Sequence, residues 1–309
     1  MTNPIRITAK SVTDLISVPR IMLGFDPAES VVVLGITGTR VEFCARMDVD
    51  HVENGRDAVA AQINSATTRA NICEVVAMGF SADPAGIATS MAPLIDALDA
   101  VVVECLAISA TQWWNVIGDG LVGEPTPHNT ATSLPSVQAV VAGVNVAQDR
   151  AASVAAVQGP QRSDANYSDL MQQSIRAAAL VAGMTARDQA EAAMELAGSQ
   201  RELTTAESAQ LAALMNTDEG AGALLVGLST TTAAIWRPRL AEVRRSTPAA
   251  HAGGVLAVLG IACWLDGEGA QAAECLSQLD VFAPDNQIGA ILRSLHNNAV
   301  PPSSLGQQH

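Results

Sequence analysis

Val31-Val32-Val33-Leu34-Gly35-Ile36-Thr37-Gly38-Thr39-Arg40-Val41-Glu42-Phe43-Cys44-Ala45-Arg46-Met47-Asp48-Val49-Asp50 is the stretch that decides the fold class. Its first four residues are apolar without alternation, the pattern of a strand covered on both faces. Thr37-Gly38-Thr39 reads as a hairpin turn. The returning strand alternates cleanly. Val41, Phe43, Ala45, Met47 and Val49 point one way, and Glu42, Cys44, Arg46, Asp48 and Asp50 point the other.

Upstream, Ser11-Val12-Thr13-Asp14 resembles a capping box and opens a short helix through about Ile16. Pro19 begins a second helical turn that Gly24 closes, and Asp26-Pro27-Ala28-Glu29 is a turn. Downstream, the pattern gives a helix over 55–71, a strand over 74–80, a helix from Pro84 to Leu98 and a buried strand over 100–107. Gln112–Asn115 reads as an edge strand. The order ββαβαβ implies an α/β domain built on one mixed sheet.

Gly118 to about Leu134 is rich in Gly, Pro, Thr and Asn and reads as a loop, and short helices over 137–142 and 150–156 follow. Beyond Pro160 strand signals stop. Helical patterns cover 166–182, 186–199, 204–216 and 219–244. Over 249–298, Leu256, Leu259 and Gly260, then Ala272 and Leu276, then Pro284 match the offsets of a tetratricopeptide unit turned at Asp266–Gly269. The expected organisation is an α/β domain over 1–160, an all-α helical domain over 161–300 and a disordered tail over 301–309.

Composition excludes several classes. The 309 residues are 49% hydrophobic and 16% charged, which suits a globular protein with two cores. No window is apolar enough to span a membrane, and the first residues carry no signal-peptide pattern. Net charge is −14, with 16 acids against 8 bases over 1–160 and 15 against 9 over 161–309. A chain acidic throughout is a poor partner for nucleic acid or an anionic membrane. Five scattered cysteines without a C-x-x-C pair suggest neither disulfides nor zinc, and imply buried thiols in a reducing cytoplasm. Sixteen of the 17 basic residues are Arg. The single Lys10 lies in neither a P-loop nor a Schiff-base context, so no cofactor of those classes is expected.

Candidate chemistry is sparse. Gly118-Asp119-Gly120-Leu121-Val122-Gly123 spells a dinucleotide motif, but Glu124-Pro125-Thr126-Pro127 cannot continue it as a helix. Gly79-Phe80-Ser81-Ala82-Asp83 stands where a nucleophile elbow would lie, yet Asp83 before Pro84 reads more simply as a helix cap. His51 and His128 are the histidines available to it. The charged face of Arg46, Asp48 and Asp50, beside Asp26 and Ser30, is the candidate ligand site. Arg237, Arg239, Arg244 and Arg245 form the one basic cluster, which complements a helix C-terminus or receives an acidic partner. No metal site is expected.

Taken together, the stretch from Asp14 to Val33, with its Leu23-Gly24-Phe25, Pro27 and Ser30, resembles the opening of an actinobacterial family known as domain of unknown function 4192. Arg46 and Asp48 look like its Arg-x-Asp. Trp113-Trp114, Ala142-Gly143 and Trp264-Leu265-Asp266-Gly267 look like its later markers, although the paired cysteines and proline that many members carry after the Trp pair are missing. The resemblance implies kinship over nearly the whole chain and no activity. Two functions are therefore expectations: a non-catalytic protein-binding or scaffold protein, and a small-ligand-binding or hydrolytic domain using the Arg46/Asp48 face.

Overall fold

A computed structural model describes residues 8–144 and 146–302. The chain divides into two compact units between Ser153 and Val154. Residues 303–309 of the expected tail lie outside the described residues.

The first unit is a mixed six-stranded sheet with helices on both faces. Its elements are α1 (Val12–Leu23), β1 (Ser30–Thr37), β2 (Arg40–Asp48), α2 (Val49–Arg69), β3 (Glu74–Phe80), α3 (Pro84–Ile95), β4 (Val101–Ile108), β5 (Gln112–Ile117), β6 (Gly120–Pro127), α4 (Leu134–Val141) and the start of α5 (Arg150–Val154). Strand order across the sheet is β2-β1-β3-β4-β5-β6, with β3 and β4 parallel and every other pair antiparallel. Val31, Val33, Val75, Ala77 and Ala107 pack under α2 and α3, while Val32, Leu34, Met78 and Leu106 pack under α1. The period-two alternation of these strands thus closes two cores at once.

Three expectations change. The helix expected to stop near Ile16 runs on as α1 through Pro19 to Gly24, whose φ of 75° ends it. Burial of Ile16, Val18 and Ile21 outweighs the hydrogen bond that Pro19 cannot donate. β2 ends at Asp48, so Asp50 leaves the strand and enters the first turn of α2. The expected loop after Gly118 is instead the hairpin β5–β6, turned at Gly118 (φ 62°). Pro125 and Pro127 are tolerated because β6 is the sheet edge, where a missing N–H breaks no ladder. The glycine motif therefore spans the hairpin turn and β6, and the next α-helix begins only at Leu134.

The second unit is all helical: α6 (Tyr167–Ala182), α7 (Ala186–Gly198), α8 (Thr205–Leu214), α9 (Asp218–Gly227), α10 (Thr230–Ser246), α11 (Gly253–Leu265), α12 (Gly269–Phe282) and α13 (Gln287–Asn297). The single helix expected over 219–244 is two. Ser229 and Thr232 form a capping box that starts α10, and Trp236 packs so close to Gly227 that a Cβ there would lie 2.6 Å from its ring. α11 is the buried centre, with Val255 through Leu259 inaccessible. It begins against the end of α8, where Asn216 Oδ1 accepts from Gly254 N at 2.9 Å.

Candidate functional site

At one end of the first unit's sheet, Ser30 opens β1 opposite Asp48, the last residue of β2, and opposite Phe80, the last of β3. Arg46 and Asp48 share a face of β2 because they are two residues apart. Arg46 Nη2 donates to Asp48 Oδ1 at 2.7 Å and to the Ala28 carbonyl at 3.3 Å, and its guanidinium lies 5.7 Å from the centre of the Phe25 ring. With its side chain only 12% exposed, Arg46 clasps the 25–29 turn to the strand. Asp26 pairs with Arg20 at 2.8 Å, and burial nonetheless raises its carboxyl above the usual range. Asp50 and His51 are exposed on α2 and do not join this group.

The same turn reaches across to β3. Glu29 sits at φ 41°, an uncommon conformation for a residue with a side chain. Its carboxylate accepts from the Ser81 hydroxyl at 2.9 Å and from Ala82 N at 3.0 Å. Ser81 Oγ accepts in turn from Asp83 N, and Asp83 caps α3 by accepting from Gly86 N at 3.1 Å. His128 stands further along this edge with Nε2 3.0 Å from the Ser109 carbonyl. Ser30 Oγ, Arg46 Nε and His128 Nδ1 are buried without a partner.

Three of the four clustered arginines turn toward the helical unit and the fourth, Arg245, is exposed. Arg237 Nε donates to Asp266 Oδ2 at 2.6 Å and stands 3.5 Å from Glu268, locking the turn between α11 and α12. Burial holds the Glu268 carboxyl above its usual range despite that arginine. Arg239 donates to the Ser199 carbonyl, and Arg244 is buried with its guanidinium on Gln278 and the Thr247 carbonyl. Burial lowers Arg244 to about 10, which still leaves it charged at neutral pH. Arg245 lies 4.0 Å from Glu242. Arg237, Arg239 and Arg244 thus bond within the helical frame, while the Arg245 side chain stays 60% exposed.

An apolar groove of about 520 Å³ lies between α7 and α9. Ala186, Ala190 and Met194 form one wall at four-residue spacing; Gly222 and Val226 form the other. Val226 is 90% exposed. Sequence reasoning missed this groove because α9 was merged with α10, which hides the stripe Gly222–Val226. The visible signal was the four-residue spacing of Ala186, Ala190 and Met194.

Among the described residues no group of three or more His, Cys, Asp or Glu is placed to hold a metal ion, and no helix is long and apolar enough to cross a membrane. Fold and site define a two-unit protein, a mixed α/β sheet unit followed by a helical unit with an open apolar groove. The chain belongs to the family described as Domain of unknown function (DUF4192), whose model matches residues 13–303. No curated protein and no solved structure matches it.

Proposed function

We propose that the protein is a non-catalytic, cytoplasmic protein-binding scaffold that docks a partner along the groove between α7 and α9. The observation that carries this reading is Val226, a large aliphatic side chain left 90% exposed beside Met194 on the wall of an apolar groove. All five cysteines are free thiols, in keeping with a reducing compartment, although only Cys263 and Cys275 are buried and Cys73, expected to be buried, is exposed. Helices α11 and α12 support the tetratricopeptide-like reading. They approach closely at Gly260, where a Cβ would lie 3.2 Å from Cys275 Cβ and 2.4 Å from Leu292 of α13. The test is retention of a stoichiometric partner from host extract, with hydrogen exchange locating it. Protection of amides 186–227, lost with Gly222→Leu, is expected. A partner that protects other segments and ignores that substitution contradicts the reading.

A second reading places a small polar ligand, or hydrolysis, at the Arg46 face. The unpartnered Ser30 Oγ and Arg46 Nε favour binding there, and the Glu29–Ser81 hydrogen bond favours hydrolysis. A thermal-shift screen of nucleotides and sugars against wild type and Arg46→Ala tests it. Equal indifference of both proteins excludes it.

A further inference from the structure

Resting on the groove reading above, we infer that its occupant is a basic amphipathic helix: an aliphatic stripe for the floor, with Arg or Lys where it meets the N-terminal end of α9.

Three observations carry this. The first is shape. With Val226 90% exposed, the groove has an open wall. A small molecule bound there would stay wet, whereas ligand sites enclose most of the ligand surface. A helix laid lengthwise covers Met194 and Val226 together, in the manner of helix-in-groove recognition.

The second is a glycine that this chain does not need. Gly222 sits inside α9, where glycine costs about 0.5–1 kcal/mol relative to alanine. The neighbouring interior glycines have internal reasons. A Cβ at Gly220 would lie 2.3 Å from the Leu214 carbonyl oxygen, and one at Gly254 1.9 Å from that of Met215. At Gly222 a Cβ meets nothing within 4 Å. Its absence of side chain opens that wall of the groove and serves a body approaching from outside.

The third is charge. Residues 186–227 carry seven carboxylates and two arginines. Both arginines are paired within the segment, Arg187 with Glu191 and Arg201 with Glu207. Asp218 and Glu219 line the groove itself. An acidic helix would meet like charge where it crosses Asp218 and Glu219, while a basic one is attracted and oriented there.

The experiment uses the full-length protein and three labelled helical peptides sharing one Leu/Ala stripe, flanked by Lys, Gln or Glu, followed by fluorescence anisotropy at two salt concentrations. The Lys peptide is expected to bind at least about tenfold more tightly than the Glu peptide. Gly222→Leu, which fills open space and so leaves the fold intact by circular dichroism, is expected to abolish binding. The double substitution Asp218→Asn with Glu219→Gln is expected to remove the Lys preference while the Gln peptide still binds. If all three peptides bind equally and Gly222→Leu blocks them, the groove reading stands and the basic partner is overturned. If no peptide responds to Gly222→Leu, both fall. If sedimentation shows a dimer of this chain that Gly222→Leu dissociates, the occupant is a second copy and the inference is overturned.

Discussion

Asp48 Oδ1 accepts from Arg46 Nη2 at 2.7 Å, so the residue at the N-cap of α2 makes no side-chain capping bond to that helix. An aspartate there ordinarily accepts from a backbone N–H of the first turn. Here it holds the arginine that clasps the Phe25–Glu29 turn. The pair serves the turn rather than the helix.

Arg46→Lys therefore removes more than it keeps. A lysine retains the charge but cannot spread a planar guanidinium over Phe25 while donating to both Ala28 and Asp48. The expected loss is about 1–2 kcal/mol, read as a lower urea midpoint at unchanged slope. A midpoint equal to wild type contradicts the clasp.

Asp14 ties α1 to the start of α4. Its two oxygens accept from Lys10 N at 2.9 Å and Leu134 N at 3.1 Å, and the residue is 8% exposed. Burial raises its pKa, but the backbone and Ser11 hydrogen bonds together outweigh that and set it below 3.8. A carboxyl with a depressed folded pKa contributes stability that is full above its unfolded value. That contribution fades as pH falls below about 3.8 and through the folded value. Asp14→Asn is expected to cost about 1–3 kcal/mol at neutral pH and to flatten the acid limb of a stability-versus-pH curve. An unchanged acid limb would exclude Asp14 as its source.

Much of this architecture was legible in the residues. The apolar run at Val31–Leu34 and the alternation from Val41 to Met47 announced β1 and β2, and Asp83-Pro84 announced the start of α3. What stayed hidden was decided by distant contacts. Pro19 remains helical because its neighbours on α1 are buried against the sheet, and Pro125 and Pro127 remain in a strand because, among the described residues, no further strand pairs beyond β6. In the candidate site, Arg46 and Asp48 were found by periodicity, whereas Glu29 and Ser81, 52 residues apart, were joined only by the fold. The particular partners of Arg237, Arg244 and Arg239 were hidden in sequence because Asp266, Gln278 and Ser199 lie 29, 34 and 40 residues away.

Gly254→Ala tests the packing of α11 on the end of α8. The added Cβ would fall 1.9 Å from the Met215 carbonyl oxygen and 2.7 Å from Asn216 N, both backbone atoms that cannot swing aside. A loss of at least about 2 kcal/mol is expected in chemical denaturation. A loss below about 0.5 kcal/mol would mean that the helices separate at little cost.

The groove makes the opposite prediction for a glycine-to-alanine change. Gly222→Ala is to be compared with wild type for urea stability and for affinity toward the Lys-flanked peptide in the same buffer. The account predicts a gain of about 0.5–1 kcal/mol in stability together with weaker peptide binding, because the new methyl suits the helix and obstructs the occupant. A variant that is more stable and binds as tightly as wild type would contradict the claim that Gly222 is kept open for a partner.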